Sequence, residues 1–96
     1  MRVTFNELAE REIDDAAQYY EREQPGLGAA FIGEIQRCAA AIADHPDANP
    51  VVLGTIRRKL CRRFPYALLY TRADREIKIL AVMNLKRRPG YWVGRT

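Results

Sequence analysis

Apolar residues recur at helical spacing through the first half of the chain and at sheet spacing through the second. Arg2 to Phe5 alternates enough for a brief strand, and Asn6, with acidic residues in the turns after it, is a good helix N-cap. Ala9, Ile13, Ala16, Ala17 and Tyr20 then lie three and four residues apart, on one stripe of a helix, which turns Glu10, Asp14, Glu21 and their neighbours to water. Gln24-Pro25-Gly26 breaks that helix. Leu27, Phe31, Ile35, Cys38 and Ile42 follow at intervals of 4, 4, 3 and 4, predicting a second amphipathic helix that ends before Pro46. So short a link predicts an antiparallel helical hairpin whose joint apolar face covers a sheet.

After a loop from His45 to Gly54, rich in Pro, Asp and Asn, the period becomes extended. Thr55 to Phe64, Tyr66 to Thr71 and Glu76 to Asn84 predict strands, with Ala73-Asp74-Arg75 as the turn between the last two. In the last strand Ile77, Ile79, Ala81 and Met83 fall on one face and Leu80 and Val82 on the other, so it is expected to be central and covered on both sides. Helices followed by strands predict an α+β fold: a short N-terminal strand, then an antiparallel helical hairpin packed on a mainly antiparallel sheet of three to four strands. With 96 residues, 48% of them hydrophobic, a single domain over 1–96 is expected.

Charge sharpens this picture. Residues 1–48 hold four Lys/Arg against ten Asp/Glu and residues 49–96 hold twelve against two, so halves of −6 and +10 make the net +4. That asymmetry predicts a basic face turned to a polyanion or an acidic partner. The chain lacks an apolar run long enough for a bilayer, and Met1 to Asn6 does not read as a signal peptide, so no membrane contact and a cytoplasmic location are expected.

The inventory excludes several chemistries. The chain has no serine, and His45, its one histidine, sits in a loop beside a proline, which argues against triad hydrolysis. Cys38 and Cys61 form no CxxC pair and are expected to be reduced and structural; with one histidine they supply no recognisable zinc spacing, so neither metal nor cofactor is expected. Gly26-Leu27-Gly28 reads as a helix-start turn, not a dinucleotide fingerprint.

Cations and aromatics remain. Arg57, Arg58, Lys59, Arg62 and Arg63 lie on one predicted strand, and Lys86, Arg87 and Arg88 directly precede Pro89-Gly90-Tyr91-Trp92. Guanidinium forks suit phosphates or carboxylates, and Tyr and Trp rings stack on bases or pack a chain end onto a sheet. Tyr19-Tyr20-Glu21, Pro25-Gly26-Leu27-Gly28 with Phe31, Ile56-Arg57-Arg58, Arg63-Phe64-Pro65-Tyr66 and Ala81-Val82-Met83 through Arg88-Pro89-Gly90-Tyr91-Trp92 together resemble the RelE/ParE toxin superfamily, over nearly the whole chain.

The resemblance implies the toxin of a bacterial type II toxin-antitoxin pair, bound in a hetero-oligomer by a cognate antitoxin with an acidic, partly disordered segment. One branch of that superfamily cleaves messenger RNA on the ribosome, and another inhibits DNA gyrase without being a nuclease. The nuclease alternative would use Arg63, Lys86, Arg87 and Tyr91. Related toxins often carry a histidine after Ala-Val-Met, where this chain has Asn84, which cannot act as a base. The Tyr-Tyr-Glu and Pro-Gly-Leu-Gly wording resembles the ParE branch. Its implied reading is inhibitory binding, with Arg87, Arg88, Tyr91 and Trp92 at the target and Arg57, Arg58, Arg62 and Arg63 at the antitoxin. A third reading, from a different class, is a non-toxic antitoxin-binding or regulatory partner.

Overall fold

A computed structural model of the chain describes residues 1–95. Its elements run β1 (Arg2–Phe5), α1 (Glu7–Glu23), α2 (Leu27–Asp44), β2 (Val51–Leu53), β3 (Ile56–Leu60), β4 (Tyr66–Ala73) and β5 (Glu76–Asn84). Asn6 starts α1 as expected, its side-chain oxygen accepting the Ala9 N–H at 2.8 Å. The five strands are ordered β1-β5-β4-β3-β2, with β1 parallel to β5 and every other pair antiparallel. β5 is therefore a central strand, and the α+β architecture matches the expectation.

The hairpin link depends on glycine at two places. Gly26 caps α2 at φ +89°, a left-handed conformation that other residues rarely adopt. Gly28 lies so close to α1 that a β-carbon there would stand 2.6 Å from the Ala17 carbonyl oxygen. The Glu21 carboxylate, read from its periodicity as solvent-facing, reaches across and accepts the N–H groups of Gly26 and Gly28 at 2.9 and 3.0 Å. It satisfies orphan donors at the start of α2, where an anion is also favoured by the helix dipole.

Two apolar layers flank the sheet. Phe31, Ile35 and Ile42 of α2 pack on Leu68, Tyr70, Ile77, Ile79 and Val82, while Ile56, Ala67, Leu69, Leu80, Ala81 and Trp92 fill the opposite face. Tyr20, Phe31, Phe64 and Tyr66 form an aromatic knot between the helices and the β3–β4 bend, with ring centroids 4.9–5.4 Å apart for the closest pairs.

Three expectations need correction. Strict alternation along β5 fails because Leu80 is an extra residue: Leu69 pairs with Ala81 and Tyr70 with Ile79. This bulge moves Val82 to the helix side with Ile77 and Ile79, and Ala81 and Met83 to the other side with Leu80. The predicted strand from Thr55 to Phe64 stops at Leu60, because the backbone N–H groups of Arg62 and Arg63 turn to the Glu34 carboxylate at 2.9 and 3.3 Å. A fifth strand, Val51–Leu53, lies in what reads as loop; it is short, exposed and pairs irregularly with β3, so its pattern carries no burial signal.

Substitutions at two helical glycines should have opposite signs. Gly28→Ala is expected to lower unfolding free energy by about 1–3 kcal/mol because the helices must move apart. Gly33→Ala, where the nearest atom to a β-carbon is Arg37 Nη1 at 3.5 Å, should raise it by about 0.5–1 kcal/mol. Urea unfolding midpoints check both; equal effects would refute the close-approach argument.

Candidate functional site

Strand β1 ends at Phe5, so among the described residues that flank of β5 beyond Ile79 has no neighbouring strand. Glu12, on α1, takes that place. Its Oε1 accepts the Val82 N–H at 2.9 Å and Arg95 Nη1 at 3.0 Å, and its Oε2 accepts the Tyr91 hydroxyl at 2.6 Å. Arg95 also donates to the Leu80 carbonyl at 3.2 Å. The Glu12 and Arg95 side chains are only 17% and 15% exposed, so this is a shielded network rather than a surface ion pair.

Two guanidinium groups lie over the Tyr91 ring, with the Arg87 Cζ 4.1 Å and the Arg95 Cζ 5.0 Å from its centroid. Burial, then the hydrogen bond to Glu12 and the charge of Glu12, push the Tyr91 hydroxyl above its ordinary range. It is a neutral donor already engaged by a carboxylate. Arg87 itself is exposed, as are Lys86 and Arg88. Asn84 Oδ1 accepts the Lys86 N–H at 2.9 Å and shapes the turn that presents these cations.

A cleft of ≈ 440 Å³ opens beside this turn. Lys86, Arg87, Asn84 and Tyr66 line one wall, and Glu12, Asp15 and Tyr19 of α1 line the other. Cations therefore face acids across it. Lys86, Arg87 and Tyr91 are brought into one neighbourhood, as grouped from sequence. Arg63 is elsewhere, its guanidinium over the Phe64 ring at 5.6 Å. Trp92 is buried at 6% exposure in the second apolar layer, so its ring packs the chain end and is not available to a target on the surface of the chain.

On the sheet face opposite the helices, a groove of ≈ 350 Å³ is lined by Val52, Leu53, Arg58, Leu69, Met83, Trp92 and Val93 among others. Val52 and Leu53 of edge strand β2 and Val93 of the tail are exposed where they line it. Arg58 enters this groove with a buried Nε that has no hydrogen-bond partner among the described residues.

The four β3-region arginines do not make one patch. Arg57 pairs with Tyr70 and donates Nη1 to the carbonyls of Asn49 and Asp47 at 2.6 and 3.2 Å, holding the loop, while Arg58 faces the other side. Arg62 and Arg63 lie in the bend, side chains exposed and backbone held by Glu34.

Periodicity missed Glu12, Glu34 and Arg95. Glu12 and Glu34 adjoin the apolar stripes and look like ordinary polar-face residues; Arg95 has no pattern around it. The cysteines, unconnected in sequence, have Sγ atoms 3.1 Å apart, both as free thiols, and with Glu34 they place three possible ligand atoms within 4.8 Å of one another.

The family model described as ParE toxin of type II toxin-antitoxin system, parDE, matches residues 3–89. A Sinorhizobium fredii (strain NBRC 101917 / NGR234) protein named "Putative toxin Y4kP" is 27% identical over 84 residues, 86% of each chain. In fold, the chain is similar to a structure titled "Chromosomal ParDE TA system from P. aeruginosa", with a TM-score of 0.75 and 17% identity, covering 88% of this chain and 95% of that one. The matched family segment ends before Tyr91, Trp92 and Arg95.

Two stability predictions follow from the buried carboxylates. Glu12→Ala should cost about 1–3 kcal/mol, because it leaves the Val82 N–H and the Tyr91 hydroxyl without their acceptor and the Arg95 guanidinium without its counter-charge. In a double-mutant cycle with Tyr91→Phe the effects should be non-additive by at least about 0.5 kcal/mol; strict additivity would mean the hydrogen bond is not formed.

The backbone N–H of Arg62, followed by that of Arg63 and the Arg37 guanidinium, holds Glu34 below its ordinary value. A lowered folded value makes its contribution fully present above the unfolded value of about 4.3 and lost as pH falls through the folded one. Glu34→Gln should flatten the acid limb of stability against pH; an unchanged slope would refute this.

Proposed function

The chain belongs to the ParE toxin family of type II toxin-antitoxin systems, and from that premise we propose that it arrests growth by binding DNA gyrase and is neutralised by a cognate antitoxin. The observation that favours binding over RNA cleavage is the state of Tyr91. A proton-transfer group for attack by a ribose 2′-hydroxyl must be able to give up or accept a proton near neutral pH. The Tyr91 hydroxyl is bound to the Glu12 carboxylate at 2.6 Å and held above its ordinary range by burial, and the cleft beside it presents Asn84 where a histidine would serve as a base.

Arg87, Arg88 and Lys86, exposed on the turn after β5, act as the docking cations in this reading. The stack of Arg87 on Tyr91 holds its guanidinium in place and so lowers the entropy lost on contact with an acidic surface. Tyr91 contributes by positioning Arg87, and Trp92 by anchoring the segment from beneath.

The apolar groove supports the antitoxin half of the proposal. An acidic segment disordered when free would lay apolar side chains over Val52, Leu53 and Val93 and bring a carboxylate or carbonyl to the unpartnered Nε of Arg58. Arg62 and Arg63 add exposed charge at the bend.

Purified protein should block gyrase supercoiling and leave messages intact in a translating extract. Tyr91→Phe should keep inhibition within about threefold, whereas Arg87→Ala should weaken it by about tenfold and Arg87→Glu more, the scale of a lost interfacial cation. Codon-linked cleavage with normal supercoiling, abolished by Tyr91→Phe, would overturn the proposal in favour of the endoribonuclease. Absence of growth arrest on expression without antitoxin would favour the non-toxic partner.

A further inference from the structure

Cys38 is buried on α2, and Cys61 is half-buried where β3 gives way to the bend. Their Sγ atoms lie 3.1 Å apart, in hydrogen-bond contact, although 23 residues separate them in sequence. Two further contacts hold the two segments together, the Arg62 and Arg63 N–H groups donating to Glu34 Oε2, one turn before Cys38, while the Cys61 N–H donates to the Tyr66 carbonyl of β4 at 2.8 Å. Neither sulfur is needed to satisfy a backbone group.

We propose that Cys38 and Cys61 are a redox-active dithiol that closes to a disulfide in the native fold, pinning the bend that carries Arg62 and Arg63 to α2. Glu34 completes a possible metal-ligand trio, but its two oxygens already accept from Arg37, Arg62 and Arg63, which leaves the sulfurs to their own chemistry. The contact with Cys61 favours ionisation of Cys38, helped by Lys59 and Arg37, and correspondingly pushes the Cys61 thiol up. Whichever sulfur meets the oxidant first, the other stands 3.1 Å away to resolve it.

The oxidant is a small peroxide. One cysteine thiolate attacks one peroxide oxygen, the O–O bond breaks, and that cysteine becomes a sulfenic acid as hydroxide leaves and is protonated to water. The second sulfur then attacks the first, forming the S–S bond; its proton and the departing hydroxide make a second water. Two thiols lose two electrons and hydrogen peroxide gains them.

The bridge bears on the neighbouring surface through short chain segments. Phe64 belongs to the aromatic knot and Pro65 lines the cleft beside Arg87, both within four residues of Cys61. Fixing the bend covalently restricts how far Arg62, Arg63 and that cleft wall can move to meet a partner.

The test is intact-mass analysis of the full chain treated with hydrogen peroxide. Native protein should lose two hydrogens as an intramolecular disulfide, reversibly with dithiothreitol, at least about tenfold faster than in denaturing urea, where the thiols meet only by chance. The oxidised form should melt higher by on the order of 10 °C. Of the variants Cys38→Ser and Cys61→Ser, at least one should yield a sulfenic acid that dimedone captures on the remaining cysteine. Unreacted thiols, sulfinic acid or intermolecular dimers as the main product, or equal rates in native and denatured protein, would overturn the proposal.

Discussion

The Glu12 carboxylate is the point on which the C-terminal end of this molecule depends. A four-residue β1 leaves one flank of the far half of β5 without a strand partner among the described residues, and an unpaired N–H on a strand flank is either solvated or used for pairing with another chain. Glu12 removes that choice by accepting the Val82 N–H, and with its remaining capacity it holds Tyr91 and Arg95. One side chain thus joins the helical layer, the bulged strand and the tail. The bulge contributes too: it increases local twist and leaves the Leu80 carbonyl to accept from Arg95.

Three acids from the negative half of the sequence serve backbone amides rather than solvent. Glu12 serves β5, Glu21 serves the start of α2, and Glu34 serves the bend after β3. Each replaces a missing secondary-structure partner at a junction, where a carboxylate accepting several N–H bonds is stronger than a neutral acceptor. The charge asymmetry of the chain is therefore partly an internal device. Arg57 and Arg95 are likewise used within the fold, so fewer cations are free on the surface than the composition implies.

The helical hairpin was legible because its signal is local: apolar spacing, an Asn cap and a Pro-Gly break each act within a few residues. The α+β order and the central position of β5 followed from the change of period. What escaped depends on distant pairing. The bulge at Leu80 is decided by the register against β4, and β2 exists only through β3. Cys38 meets Cys61 because Glu34 folds the bend back, and no spacing rule anticipates a contact across 23 residues. At the site, the grouping of Lys86, Arg87 and Tyr91 was readable because they are neighbours in sequence; their connection to Glu12, 79 residues from Tyr91, was not.

The motifs that carry the family resemblance have mostly structural duties. Tyr20, Phe31, Phe64 and Tyr66 are the aromatic knot, and Gly26 and Gly28 are the hairpin link. Such residues are constrained by packing whatever the target, which is why they identify a fold and a family so readily and discriminate poorly between activities. Discrimination has to come from groups that packing does not require. Here those are the exposed cations after β5 and the tyrosine on which one of them, Arg87, stacks. A phenol buried against a carboxylate is poorly suited to move protons and well suited to hold a guanidinium still. On the proposed reading, it is what Glu12 does to Tyr91 that makes this chain end a binding surface rather than a catalytic one.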